Sequence, residues 1–177
     1  RYVLNRKGRH KPKALAFGSL FHRGLNAWWF QHGRGHKQEE LSAALDEAQD
    51  YAQKNETDPF DLVRAEVLLA GYTARWLDDG YSTVWVEKVF RSQLASGLLA
   101  DISGSIDAIA TKGGKVYNIE HKTTSADISA GSDYWRHVIA LDSQVSTYDD
   151  ASRTMGYDIA GTLYDVIRKP ELQPFKA

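Results

Sequence analysis

The amino-acid sequence predicts an α/β sandwich: a mixed sheet of about four strands flanked by helices, with extra helices at the N-terminal end. Three observations lead there. Apolar residues repeat at helical spacing in three early segments and one late one, and at strand spacing between and after them. A Gly113-Gly114 pair separates two alternating runs, Ile102 to Ala110 and Lys115 to His121, which is a strong β-hairpin signal. With 177 residues, 42% hydrophobic and 25% charged, the chain suits one domain able to bury its own core. The expected organisation is therefore a single domain over 1–177, helical over about 14–80 and with its sheet core over about 83–170.

Ala14 to about His32 gathers Leu15, Leu20, Phe21, Leu25, Trp28 and Trp29 on one broad face, which predicts a helix ended by Gly33 and Gly35. His22 lies next to that face, and on its own would be a packed core histidine. A second helix, Lys37 to about Asn55, sets Leu41, Ala44, Leu45, Ala48 and Ala52 against a polar side and should pack on the outside. Thr57-Asp58-Pro59 supplies an N-cap and a proline at the first helical position, so a third helix starts there and runs to about Asp79, before Gly80. Leu62, Val63, Glu66, Leu69 and Tyr72 fall together on it, and Glu66 reads as structural, with a site role as the minority reading. Thr83 to about Leu94 alternates β-branched and aromatic with polar residues, the first strand of a three-stranded antiparallel meander. On it Glu87 shares a face with Trp85 and Val89 and should pair with a Lys or Arg nearby, with a supporting role at the site as the minority reading.

After the hairpin comes a polar loop, Thr123 to Ser132. Tyr134 and Trp135 read as packing aromatics, with base stacking as the other reading. Leu141 to about Met155 is a helix with Gln144 and Tyr148 one turn apart on the same side. Gly161 to Ile167 is a buried-type strand, and Lys169-Pro170 begins an irregular tail.

Chemistry concentrates in the hairpin. Side chains alternate along a strand, so Ser103, Ser105 and Asp107 should point one way and Ile102, Ile106 and Ala108 the other. By the same rule Asn118, Glu120 and Lys122 share a face opposite Tyr117, Ile119 and His121. Asp107, Glu120 and Lys122 can then meet on one side. Two carboxylates and an ammonium that close need a reason, because like charges repel and burial strips their water. A divalent cation supplies one, and carboxylate oxygens suit Mg²⁺ or Mn²⁺. The lysine is then placed to orient or deprotonate a water, or to neutralise charge on a phosphate.

At these residues the chain resembles the PD-(D/E)XK nuclease superfamily, in particular its RecB-like and phage-exonuclease branch. Gly18-Ser-Leu-Phe-His22 is similar to the branch's Gly-x-x-x-His element, Gly104-Ser-Ile-Asp107 to its Gly-x-x-Asp, Glu120-His-Lys122-Thr-Thr-Ser to its Glu-x-Lys signature and tail, and Gln144-Val-Ser-Thr-Tyr148 to its Gln-x-x-x-Tyr. The four stand in the family's order and cover roughly Phe17 to Pro170. The resemblance implies an αβββαβ core of the restriction-endonuclease type. It implies that His22, Asp107, Glu120 and the backbone carbonyl of His121 bind one or two Mg²⁺ or Mn²⁺ ions, with the His121 side chain turned away. Lys122 would act on the water and the transition state, Gln144 would steady the lysine or the water, and Tyr148 would reach the scissile phosphate. Thr123, Thr124, Ser125 and Arg23 join Tyr148 as candidate DNA contacts, although turn and cap chemistry explains the three hydroxyls equally well.

The function expected from this is metal-dependent DNA hydrolysis, most simply by an exonuclease of recombination, repair or phage DNA processing. Alternatives are a binding module of the same fold that lost its chemistry, and a metal hydrolase of small phosphoesters. DNA is the expected partner, and the resemblance leaves open a homo-oligomer or a recombination partner protein. Cysteine is absent, so no disulfide, thiolate zinc site or iron–sulfur cluster can form within this segment. No apolar run reaches membrane-spanning length, a cytoplasmic setting is the default, and the resemblance implies a bacterial or phage-encoded protein. The net charge of −1 hides an asymmetry. Residues 1–38 hold nine Lys or Arg and no acid, which leaves −10 for the remainder, and such a basic edge can face phosphates or simply be solvated.

Overall fold

The computed structural model describes residues 13–93, 101–140 and 142–170. The first twelve residues, with much of the basic run, and the tail beyond Pro170 lie outside them. The chain forms α1 (Lys13–His32), α2 (Glu40–Lys54), α3 (Pro59–Trp76), β1 (Ser82–Gln93), β2 (Asp101–Lys112), β3 (Lys115–Thr124), a short π-helix (Tyr134–Ile139), α4 (Ser143–Thr154) and β4 (Ile159–Arg168). The sheet order is β1-β2-β3-β4. The first three strands are antiparallel and β4 runs parallel to β3. A parallel neighbour needs a crossover, and α4 provides it. At the hairpin Lys112 pairs with Lys115, and Gly113 and Gly114 take φ of 57° and 76°, the positive pair that a two-residue primed turn requires.

Two apolar layers fix the elements. Phe17, Leu20, Phe21, Leu25, Trp28 and Trp29 of α1 pack with Ala44, Ala48 and Ala52 of α2, with Ala65, Leu69 and Tyr72 of α3, and with Ala108, Ala110 and Ile119 of the sheet. Small alanines on α2 let it pack closely on α1 and α3, while α1 lies against β1, β2 and β3. Both buried indoles are satisfied: Trp28 Nε1 donates to Thr73 Oγ1 at 3.1 Å and Trp29 Nε1 to Tyr72 Oη at 2.9 Å. On the other face α4 covers Phe90, Ile106 and Ile109 through Tyr148, Ala151 and Met155. Asp58 caps α3, accepting from Phe60 N at 2.9 Å, as the Asp-Pro pattern predicts, and Asp142 caps α4 likewise.

Several expectations change. The third helix stops at Trp76, where a turn held by Lys37 on the Leu77 carbonyl and Asp78 takes over. Val63 points to solvent, and Glu66 accepts from Gln49 Nε2 at 2.8 Å, joining α3 to α2 away from the hairpin. Thr123 and Thr124 belong to β3, because β4 extends that ladder to Thr124 opposite Arg168. The last strand is not buried throughout: it forms a sheet edge, and among its side chains only Ile159 and Asp165 are buried.

The alternation also fails at one point, in two strands at once. Val86 packs against the α1–α3 layer and Phe90 against α4, although four residues apart they should share a face. On β2, Ile106 faces α4 and Ala108 the helical layer, so the expectation that they point the same way is overturned. The reversal falls at Glu87 and Asp107, which lie across from each other between the pairs Val86↔Ala108 and Lys88↔Ile106. Glu87 takes φ of 48°, a left-handed conformation that turns the pleat over. Trp85 and Val89, expected on one face with Glu87, therefore fall on opposite faces, and Glu87 pairs with Arg23 on α1, at 3.8 Å.

Candidate active site

The β2–β3 ladder ends at Ala108↔Ile119, and β3 continues alongside β4 alone. The gap opened there is the floor of a cleft of about 600 Å³ walled by α1, β1, β3 and α4. Asp107, at the pleat reversal, takes the place of the missing ladder bond: its Oδ2 accepts from the backbone N–H of His121 at 2.9 Å. From α1, His22 Nδ1 stands 3.9 Å from the same oxygen. The helix comes this close because residue 18 is glycine, where a Cβ would sit 3.2 Å from Thr123 Oγ1.

Glu120 and Lys122 face the α4 side, as the alternation predicts. Lys122 Nζ lies 2.8 Å from Glu120 Oε1, donates to Gln144 Oε1 at 2.7 Å, and has Asp142 Oδ2 at 3.4 Å. Gln144 Nε2 then donates to Tyr148 Oη at 2.6 Å. Tyr148 packs edge-on against Phe90, with ring centroids 5.5 Å apart. Gly104 makes room for that pair, since a Cβ there would meet Phe90 carbons at 2.9 Å and Tyr148 Cε1 at 3.3 Å. The glycines of both short motifs thus have steric reasons.

The electrostatics are those of a half-dry cleft. Burial, then the charge of Asp107, raises the Glu120 pKa to about 7, against the opposing pull of Lys122. Lys122 loses water too, but its bond to Glu120 and the charges of Glu120 and Asp142 win, and its pKa is raised. His22 is lowered, first by burial, with Asp107 opposing. One oxygen of Glu120, Oε2, is buried with no hydrogen-bond partner. An unpaired carboxylate oxygen beside a second carboxylate, a neutral imidazole and a strand end is a donor set that fits Mg²⁺ or Mn²⁺. Among the described residues no three such side chains converge at coordination distance, because Glu120 is turned to Lys122.

Other expected contacts divide. Thr123 and Arg23 line the cleft. Thr124 Oγ1 instead accepts from Ala126 N at 3.0 Å, a turn bond, and Ser125 is exposed beyond the cleft wall. Tyr148 stands behind Gln144 rather than on the wall. Tyr134 and Trp135 pack edge-on, and Trp135 Nε1 donates to the Ile128 carbonyl at 2.9 Å. Leu15, Ser19, Asn26, Tyr51 and Lys169 line the cleft without a motif that marks them as contacts, and Glu87, whose minority reading is a supporting role, lines it too. Leu15, Ser19 and Asn26 recur with His22 at helical spacing, and that stripe was readable; nothing local marks Lys169.

A family model described as the PD-(D/E)XK nuclease superfamily matches residues 1–174. No curated protein matches the sequence. Among solved structures, a protein from Eubacterium rectale, assigned as an exonuclease by inference, superposes with a TM-score of 0.56 at 14% identity over 96% of this chain. This chain spans 59% of that protein, and at such identity the likeness shows the fold. The structure of SSO0001 is matched at a TM-score of 0.37 and 17% identity, over 87% of this chain and 71% of that one, too slight a likeness to argue from.

Proposed function

Because the chain belongs to the PD-(D/E)XK nuclease superfamily, we propose that it is a DNA exonuclease working with one or two Mg²⁺ or Mn²⁺ ions, in recombination, repair or phage DNA processing. The observation that carries this reading is the pairing of Asp107 with the His121 N–H beside the run of contacts from Glu120 through Lys122 to Gln144, at the end of a split ladder. Asp107, Glu120, His22 and the His121 carbonyl would hold the metal. In an extended strand the N–H and C=O of one residue face the same side, so a His121 N–H bonded toward Asp107 puts its carbonyl there too. When bound, the ion supplies charge against the phosphate and a hydroxide near neutral pH.

The rest falls to side chains. A lysine with a raised pKa stays protonated, so Lys122 acts as a cation that orients water and steadies developing negative charge, rather than as a base. Gln144 fixes its direction and Tyr148 fixes Gln144. Arg23 and Thr123, on the cleft wall, are placed for backbone phosphates. The name given to the Eubacterium rectale protein supports end-directed action.

The test is digestion of end-labelled linear DNA and closed circles with Mn²⁺, Mg²⁺ or chelator, beside Lys122→Ala. Metal-dependent loss of linear DNA, intact circles and an inert variant are expected. Equal inactivity of both proteins despite DNA binding would overturn the assignment.

A further inference from the structure

The ring of His121 has no part in the chemistry above, yet it is among the most buried polar side chains of the protein, at 1% exposure. It leaves the cleft for the α1–α3 layer. There Nδ1 lies 3.0 Å from Asp165 Oδ2, the residue directly beside it on β4, itself 8% exposed. Burial alone would lower the imidazole pKa, but the Asp165 bond and charge outweigh it and the pKa is raised. Tyr72 closes the arrangement. Its hydroxyl accepts from Trp29 Nε1 at 2.9 Å, and burial followed by the charge of Asp165 keeps it protonated, so its own hydrogen is available to the carboxylate.

A buried histidine–carboxylate pair is weak as a source of stability, because desolvation offsets its attraction and apolar residues of like volume often do as well. It is better explained by what it fixes. The peptide of His121 donates to Asp107, and its carbonyl faces the same gap. The ring of His22 stands edge-on to the ring of His121, at 6.1 Å between centroids and 84° between planes. Three pieces of the candidate metal shell therefore meet one residue whose ring is held in the α1–α3 layer by Asp165.

We propose that His121, anchored by Asp165 and Tyr72, is a positioning residue that sets Asp107, His22 and its own carbonyl for the divalent cation. This rests on the metal-dependent reading above, and acts through side chains that never touch substrate. Groups that orient metal ligands commonly change affinity or activity by about 10- to 100-fold when removed.

The experiment compares wild type, Asp165→Asn, the milder Tyr72→Phe and an apolar pair, His121→Leu with Asp165→Leu. Mn²⁺ binding is measured by calorimetry, and exchange of the His121 amide in metal-free protein by NMR. Folding is followed by circular dichroism. Asp165→Asn should weaken Mn²⁺ binding by about 10-fold or more and speed exchange of the His121 amide. It should lower kcat with KM for DNA unchanged. Tyr72→Phe should shift all three the same way, less far. The apolar pair should fold and bind Mn²⁺ as poorly as Asp165→Asn. Folded variants with Mn²⁺ affinity within about twofold of wild type, changed only in melting temperature, would overturn the proposal and leave a structural pair. Tyr72→Phe loses one hydroxyl and decides the matter where the others fail to fold. Absence of Mn²⁺ binding by wild type would instead sink the metal-dependent reading itself.

Discussion

In metal-free protein, Glu120 ties stability to pH with a sign opposite to the usual carboxylate. Its pKa rises from an ordinary 4.5 to about 7, because burial and the Asp107 charge outweigh Lys122. The folded state then holds a proton that the unfolded state has released. The stability it contributes is fully present below the unfolded value and is lost as pH rises through the folded one. At about 1.36 kcal/mol per pH unit, the loss between pH 4.5 and 7 amounts to ~3 kcal/mol. Glu120 is 4% exposed, so solvent screening takes little of it. The His22 pKa is lowered and that of His121 raised, so the readout is a difference between proteins that share both histidines. Urea unfolding in chelator from about pH 5 to 8 should show the decline in wild type and not in Glu120→Gln, whose amide stands in for the protonated acid. Near pH 8 the variant should be more stable by up to ~3 kcal/mol, while losing cleavage. Mn²⁺ should restore wild type most at high pH, where both carboxylates are charged, by ~2.7 kcal/mol at 100 times its Kd. A wild-type stability that rises over this range relative to Glu120→Gln would refute the reasoning, since it would mean that Glu120 is ionised at little cost.

Two further substitutions test the architecture around the cleft. Gly104→Ala should cost about 1–3 kcal/mol in urea unfolding, because its methyl meets a buried Phe90 ring already backed by Tyr148, and cleavage should fall further as Gln144 loses its support. Unchanged stability would mean that the ring yields freely. Glu87→Val, an improvement by strand propensity, should destabilise by about 1–3 kcal/mol because a β-branched side chain resists positive φ, whereas Glu87→Gly should stay within about 1 kcal/mol of wild type. Both lose the half-exposed Arg23 contact equally. Equal stabilities for valine and glycine would show that Glu87 does not hold the left-handed form in solution.

Much of this was legible because it rests on local rules. Helical spacing gave α1 to within a residue, Asp58-Pro59 gave the start of α3, and Gly113-Gly114 gave the hairpin. The alternation put Asn118, Glu120 and Lys122 on one face and Tyr117, Ile119 and His121 on the other, and it holds because β3 keeps an unbroken ladder with β4 from Tyr117 to Thr124. What stayed hidden depends on pairings distant in sequence. Thr123 and Thr124 read as loop because their strand partners, Ile167 and Arg168, lie more than forty residues on. His32 was read only as a helix end, yet it is buried between Glu40 at 2.8 Å and Asp79 at 3.6 Å, tying α1 to α2 and to the turn before β1. No single segment carries that triangle.

The reversal at Glu87 and Asp107 shows why naming the candidate site residues did not by itself give the geometry of the cleft. Strict alternation would put Asp107 on the α4 face with Glu120 and Lys122, leaving His22 of α1 on the far side of the sheet. One cleft could not then hold all four. Turning the pleat in β1 and β2 together, just where the β2–β3 ladder ends, brings Asp107 to the gap between the layers, with His22 at 3.9 Å from one side and the His121 N–H at 2.9 Å from within the sheet. A non-glycine residue with φ of 48° inside a strand is costly, and such strain persists where surrounding structure requires it. Here the requirement is visible: without that turn, residues from opposite faces of the sheet would have no common site.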